Sequence, residues 1–465
     1  MAAIAATGAA AVLAGLGGCD EGSARSGDAS GTWRAPATIA VIPASRGVAV
    51  ALDSRGGATA LWATGARSTA LEAAEAPPGG ALSRPHLLWP SGPFPVSLTW
   101  LSVDRSDRAL ALWLVNDRNR TVLMSATRSA AGRWSAAVAV SRVVPRLSAV
   151  DVAVNRRGDA VAAWQAYDPA IRRAVVQAAS RRGGGPFSDP VTVAHEGQFP
   201  YGELAVAIGE GGDAAVTWSV AGVGDYRPAL VATHAPLGRW SSPVLLSRPS
   251  ESTSHLRVAV DGRGGAMVAW MSEGKHRHTT GRPVVAASRT PAGRWTAPIT
   301  VAGRVDAVDD PALAMSPGGD AVIAWNRVVG GNARLLAAAR RAGAGWGAPV
   351  EIAAAPALNE PRPEFVPDIG PSTPFGGVRL TASPSGAVTA VWRRATAQPG
   401  RNPFTWGLES ATWRDGRWEP PAPISGPTPA PPALEAIDVH PDGSATALLT
   451  RQAGSRTLIE ESERR

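Results

Sequence analysis

The 465-residue chain has one cysteine, three tyrosines and, among its 46 basic residues, a single lysine, Lys275. A lone cysteine excludes a disulfide framework and any cysteine-based structural metal site. Charged residues are scarce at 18%, whereas 45% of the chain is hydrophobic, which excludes a chain too polar to bury a core. Beyond the N-terminus no apolar run approaches the roughly 20 residues that a membrane-spanning helix needs. No stretch keeps a helical 3.6-residue period, and serine nucleophile elbows, phosphate-binding P-loops and His-Glu-x-x-His pairs are all missing. What the chain does have is arginine, giving a net charge of +8, and 17 tryptophans against six phenylalanines.

The tryptophans follow a repeat. An alternating apolar strand, a glycine turn and a second strand closing on Trp recur as Val48 to Trp62, Val258 to Trp270 and Leu313 to Trp325. Further copies close on Trp113, Trp164, Trp218 and Trp392, and a degenerate one on Leu449; the intervals are 51, 51, 54, 52, 55, 67 and 57 residues. Six residues before each closing position stands a glycine, except that Asp107 takes its place before Trp113. A second phrase falls between the copies: Gly-Arg-Trp, small residues, often proline, then an apolar strand. It appears at Gly132–Trp134, Gly238–Trp240, Gly293–Trp295 and Gly416–Trp418, with variants at Trp33, Phe187 and Trp346. With a third short strand between the phrases, each unit of about 50 residues supplies four strands, the pattern of a propeller blade.

An all-β propeller is therefore expected over residues 31–465, as a single domain. Strand pairs beginning near residues 47, 97, 148, 202, 254, 311, 376 and 434 count to eight four-stranded blades; the first copy is poorly formed after Trp62, which leaves seven as the alternative. The chain opens with the fourth-strand phrase (31–41) and ends on first, second and third strands (434–460). The N-terminal strand is thus expected to complete the last blade and close the ring. Both tryptophan series are read as packing between blades, where a large ring with one polar handle is most useful.

Residues 1–18 are uncharged and apolar, and they end in Leu16-Gly17-Gly18-Cys19. This resembles the lipobox of bacterial lipoproteins. The resemblance implies a signal peptide over 1–18, lipidation of Cys19, a flexible tether over 19–30 and an extracytoplasmic propeller anchored to the cell membrane. The basic segment that normally opens such leaders is missing, and an alanine-rich helix with an incidental cysteine is the alternative reading.

The Gly-Arg-Trp-Ser/Thr-x-Pro phrase resembles the outer strands of sialidase-like propellers, and the pattern as a whole is similar to secreted repeat proteins of high-GC actinobacteria. The sialidase family's Asp-box places its aromatic about three residues after the glycine, whereas six separate them here. The likeness therefore implies architecture and not chemistry, and no local spacing identifies the arginine triad, tyrosine nucleophile and acids of that family.

Function is sought in the connections. Turns after first strands are short and alike, so their face is plain. The second-to-third and fourth-to-first connections on the opposite face vary, and variable loops on a rigid scaffold are where binding usually resides. The tyrosines cluster in this region of the third and fourth blades. Tyr167, Tyr201 and Tyr226, with Glu203, Asp225 and Arg227, are the candidate ligand-binding set; Arg172 and Arg257 are nearby candidates. No catalytic residue, metal ligand or cofactor is assigned. His276 and His278 sit at metal-ligand spacing, but the adjacent Lys275 and Arg277 disfavour a cation and the stretch reads as a solvated basic loop; Asp306, Asp309 and Asp310 could supply carboxylates for calcium, but the twelve-residue EF-hand pattern is absent. The expectation is a monomeric binding or scaffold module for a carbohydrate or a protein, not for nucleic acid, with a sialidase-like glycoside hydrolase as the alternative.

Overall fold

The structure is a computed structural model. It describes residues 32–464 except 46, 66–67, 79, 91, 118–119, 143–146, 198–201, 220–225, 237, 273–281, 306–310, 330, 359–372, 399–403 and 440–443. Cys19, Tyr201, Asp225, the Lys275–His278 stretch and the Asp306–Asp310 carboxylates lie outside the described residues.

Eight antiparallel sheets, seven of them built from consecutive strands, make the blades of a β-propeller. First strands begin at Val48, Val96, Leu147, Leu204, Thr253, Ala312, Phe375 and Ala433, each within two residues of its expected start. The blade following Trp62 is complete, with strands Ala58–Thr64, Ala70–Ala76 and His86–Trp89. In blade 7 the outer strand is split into Arg417–Trp418 and Ala422–Thr428, both paired with the third strand Phe404–Arg414. Blade 8 is closed by the N-terminus: Ala37–Pro43 pairs antiparallel with the third strand Arg456–Arg464 and supplies the fourth strand. The chain enters this strand at the end carrying the third-to-fourth turns, where Trp33 bridges Arg464.

The hairpin turns between first and second strands explain the repeated glycine. In blades 1, 2 and 5 an aspartate opens the turn and its Oδ1 accepts two backbone N–H groups within it, as Asp53 does from Arg55 (2.8 Å) and Gly57 (2.7 Å). The chain then passes through a left-handed residue, Gly56 at φ 82°, a conformation costly for any side chain except a short polar one. Asp107, at φ 58°, is the one non-glycine at this position among the described turns. Neighbouring turns are also joined. The Arg105 N–H donates to the Arg156 carbonyl (2.9 Å), the Gly262 N–H to the Pro317 carbonyl (3.1 Å) and Asn155 Nδ2 to the Gly209 carbonyl (3.1 Å). The plain face is a braced ring.

The closing tryptophans of seven blades are at most 2% exposed and pack between blades, with Leu449 in their place in blade 8. Their indole N–H groups are satisfied unequally. Where the third-strand partner is polar it can accept, as Gln177 does from Trp164 (3.1 Å) and Glu409 from Trp392 (2.9 Å). Where that partner is apolar, a glutamate from the fourth-to-first connection takes over in two blades: Glu196 accepts from Trp218 (2.8 Å) and Glu251 from Trp270 (3.3 Å). The N–H groups of Trp62, Trp113 and Trp325 find no acceptor among the described residues.

The second aromatic series lies half-buried at the outer strands. The third strands of blades 2, 3, 5, 6, 7 and 8 each end in arginine, and that of blade 4 ends in His234. Arg464, Arg340 and Arg181 stand 5.6, 5.8 and 5.9 Å from the ring centres of Trp33, Trp346 and Phe187. His234 lies 5.0 Å from Trp240. Cation–π contact on a ring that also faces the core gives these arginines a packing role.

Candidate binding face

The variable connections and the first strands beneath them form the other face. Tyr167 lies at the penultimate position of the second strand of blade 3, Ala160–Asp168, half-buried and paired with Ala174. It is therefore a strand residue. The turn beyond it is tight enough for the ladder to reach Asp168, whose carboxylate accepts the Ala170 N–H (2.9 Å). Ile171, at the tip of that turn, is exposed.

Glu203 immediately precedes the first strand of blade 4, Leu204–Ile208. Its backbone is clamped to the neighbouring strand: its N–H donates to Ser219 Oγ (3.2 Å), and its carbonyl accepts the Ser219 N–H (3.0 Å). Gly202 is forced by this approach, because a Cβ there would lie 1.7 Å from the Ser219 carbonyl oxygen. The Glu203 carboxylate reaches forward, and Oε2 accepts the Leu256 N–H in blade 5 (2.9 Å). Tyr226 and Arg227 are half-buried and lead into the third strand of blade 4, Ala229–His234. The Arg227 carbonyl accepts both the N–H (2.9 Å) and the hydroxyl (2.7 Å) of Thr253 in blade 5. Arg227 Nε is buried with no acceptor among the described residues. Tyr167, Glu203, Tyr226 and Arg227 thus share one face over adjacent blades, but the contacts that fix Glu203 and Arg227 run to blade 5, not to either tyrosine.

Beneath them the register singles out residues that the loops do not. The residue thirteen before each closing position pairs with the residue just before that position: Ala49, Trp100, Asp151, Ala205, Arg257, Ala312, Arg379 and Ala436 in blades 1 to 8. Four blades place alanine in this innermost layer and four place Trp, Asp or Arg. Asp151 is 4% exposed. Its Oδ2 accepts the Val206 N–H of blade 4 (2.8 Å) and its Oδ1 the Val152 N–H (2.9 Å). Burial pushes its carboxyl up to about 7, against the two N–H donors and Arg257, which favour the charged form. Asp151 and Glu203 therefore staple the innermost strands of blades 3, 4 and 5 together.

Above this layer several first strands are bulged. In blade 5 the ladder slips between Ser254 and Arg257, and His255 takes a left-handed φ of 56°. In blade 8 the bulged residue is Glu435, whose carboxyl is raised by burial and accepts the Thr450 hydroxyl (2.6 Å). Bulges re-aim side chains and gather near functional sites. Asp151, His255 and Glu435 were not among the expected site residues. Asp151 has a signal in the sequence, an acid where four of the other seven copies carry alanine; a bulge leaves none. Among the described residues no three His, Cys, Asp or Glu side chains converge to hold a metal ion.

No protein-family model matches the chain, and no curated protein does. Solved structures align over much of it at low identity. Polysaccharide lyase Uly1 is 12% identical with a TM-score of 0.44, covering 78% of this chain and 89% of that one. A PL25 ulvan lyase bound to a GlcA–Rha3S ligand is 11% identical with a TM-score of 0.43, covering 77% and 90%. The β-propeller domain of the Trilobed protease from Pyrococcus furiosus is 10% identical with a TM-score of 0.39, covering 77% and 94%.

Proposed function

We propose that this chain is a binding module, held outside the cytoplasm by lipid on Cys19, that recognises a carbohydrate or protein partner on its variable-loop face. The observation that carries the reading is the asymmetry of the two faces. Short turns brace the plain face from blade to blade, whereas the opposite face sets half-buried Tyr167, Tyr226 and Arg227 at the ends of rigid strands. Tyrosine rings and a guanidinium on one face suit stacking and hydrogen bonding to a sugar, or insertion into a protein groove. Tyr201 and Asp225 belong to the same connections by sequence and complete the proposed set. The inner carboxylates support binding over hydrolysis: both Asp151 oxygens and one of Glu203 are engaged by backbone N–H groups, and a glycosidase needs carboxyl groups free to reach its substrate.

A glycan array probed with the chain from residue 31 onward, in low and high salt, tests this beside a variant carrying Tyr167→Phe, Tyr201→Phe and Tyr226→Phe. Salt-resistant retention that falls at least about tenfold in the variant, the loss of one or two good hydrogen bonds, is expected for a sugar site. Retention lost in salt by both proteins alike would reduce the effect to charge. No retention would remove the carbohydrate reading and leave a protein partner, to be sought by pull-down. Release of product from a retained glycan would overturn the non-catalytic assignment.

A further inference from the structure

The third-to-fourth turns of the plain face share a feature that the repeat does not require. Each of the eight carries an arginine: Arg84, Arg133, Arg182, Arg239, Arg294 and Arg341 in blades 1 to 6, Arg417 at the start of the split outer strand of blade 7, and Arg34 at the N-terminal entry to blade 8. All eight are exposed. Against them these turns hold three carboxylates, Asp189, Asp415 and Glu419, an excess of 8 − 3 = 5 positive charges. Arg34 pairs with Glu463 (3.2 Å) and Arg182 donates to the Pro236 carbonyl (2.5 Å). The other six make no ion pair with a described residue. They are distinct from Arg181, Arg340 and Arg464, which stand over aromatic rings, and from Arg128 and Arg289, which donate to backbone carbonyls. Several carboxylates of the inner turns are matched by arginines of the same turns, as Asp104 is by Arg108, Asp107 by Arg55 and Asp159 by Arg157.

We infer that this arginine rim docks the plain face on an anionic lipid bilayer, with the variable-loop face directed away. Three observations select that partner. Radial repetition distributes one cation per blade around the ring, which matches a plane of charge better than a groove matches a single polymer. The guanidinium fork suits phosphate oxygens. The N-terminal segment, residues 1–31, joins the propeller at this same face through Arg34. The inference is independent of acylation at Cys19: it concerns which face meets the bilayer, not what anchors the chain.

The test uses the full chain carrying Cys19→Ser, so that lipidation plays no part, and vesicles of phosphatidylcholine with or without about one-third phosphatidylglycerol. Any contribution of the N-terminal segment that does not depend on lipid charge is the same for both vesicles, so the readout is the ratio of binding to the two. At about 1 kcal/mol per arginine near an anionic surface, that ratio is expected to exceed tenfold at low salt and to approach one in molar salt. Replacing Arg84, Arg133, Arg239, Arg294, Arg341 and Arg417 by Gln is expected to abolish it, with the far-ultraviolet spectrum unchanged. The same replacement at six exposed arginines of the other face, Arg120, Arg142, Arg173, Arg248, Arg327 and Arg456, is expected to leave most of it. A wild-type ratio near one, or equal losses in the two variants, would overturn the inference. So would retention of an anionic polysaccharide through the rim without any preference for the anionic vesicles.

Discussion

At the scale of single residues, Asp151 shows what an inner-strand carboxylate costs and does. Its two backbone donors fix the third and fourth blades together, yet burial raises its carboxyl from an ordinary value of 3.8 to about 7. The folded state therefore binds a proton that the unfolded state has released over that interval, so its contribution to stability falls as pH rises from about 4 to 7 and is flat above 7. At about 1.4 kcal/mol per unit, the change is on the order of 4 kcal/mol. In Asp151→Asn the amide cannot titrate, and one of the two N–H groups loses its acceptor, a constant penalty of about 1–3 kcal/mol. Urea unfolding at steps between pH 4.5 and 8 should thus give a wild-type advantage that shrinks with rising pH, reverses by about pH 7 and then holds steady. Parallel curves for the two proteins would rule out titration of Asp151 in this range.

At the scale of elements, the tryptophan strands were legible because burial imposes one residue type at a fixed place in each repeat, and a period announces itself without any knowledge of contacts. The same alignment held the inner layer too. Counting thirteen residues back from Trp164 gives Asp151, and from Trp270 gives Arg257, positions where four copies have alanine. What could not be read was how each indole N–H is satisfied, since Glu196 and Glu251 come from connections with no fixed spacing. Nor could the bulge at His255 be read, because it depends on how two strands slip. The indoles supply a comparison. Trp218→Phe strands the half-buried Glu196 carboxylate, whose pKa burial has already raised, whereas Trp325→Phe removes a donor with no described acceptor. Both lose similar apolar area, so Trp218→Phe is expected to destabilise the protein by about 1–3 kcal/mol more at pH 7. Denaturant midpoints of the two variants would show it, and equal midpoints would mean that the Glu196 contact contributes nothing net.

At the scale of the whole molecule, the ring is held shut by residues more than 400 positions apart in sequence, since Ala37 pairs with Glu461 and Pro43 with Arg456. Ile42 and Ala40 are buried in a cluster shared with Ile459, Leu448 and, in the neighbouring blade, Trp62, while the Trp33 N–H reaches Ser410 in blade 7 (2.8 Å). The closing strand therefore ties three blades together and covers an edge that would otherwise offer unpaired N–H and C=O groups to other chains. A chain beginning at Gly31 should melt as the full-length protein does. One beginning at Ala44 loses the strand, its buried side chains and the tryptophan, which together are worth about 5 kcal/mol or more. Its melting temperature should fall by roughly 5–10 °C, with concentration-dependent aggregation from the uncovered edge. Adding a peptide of residues 31–45 in excess should restore both, because a strand that supplies its own ladder and side chains can rejoin an open edge in trans. If the two truncated chains melt together, closure by this strand is dispensable, and the ring is held by the packing of tryptophans between the other blades.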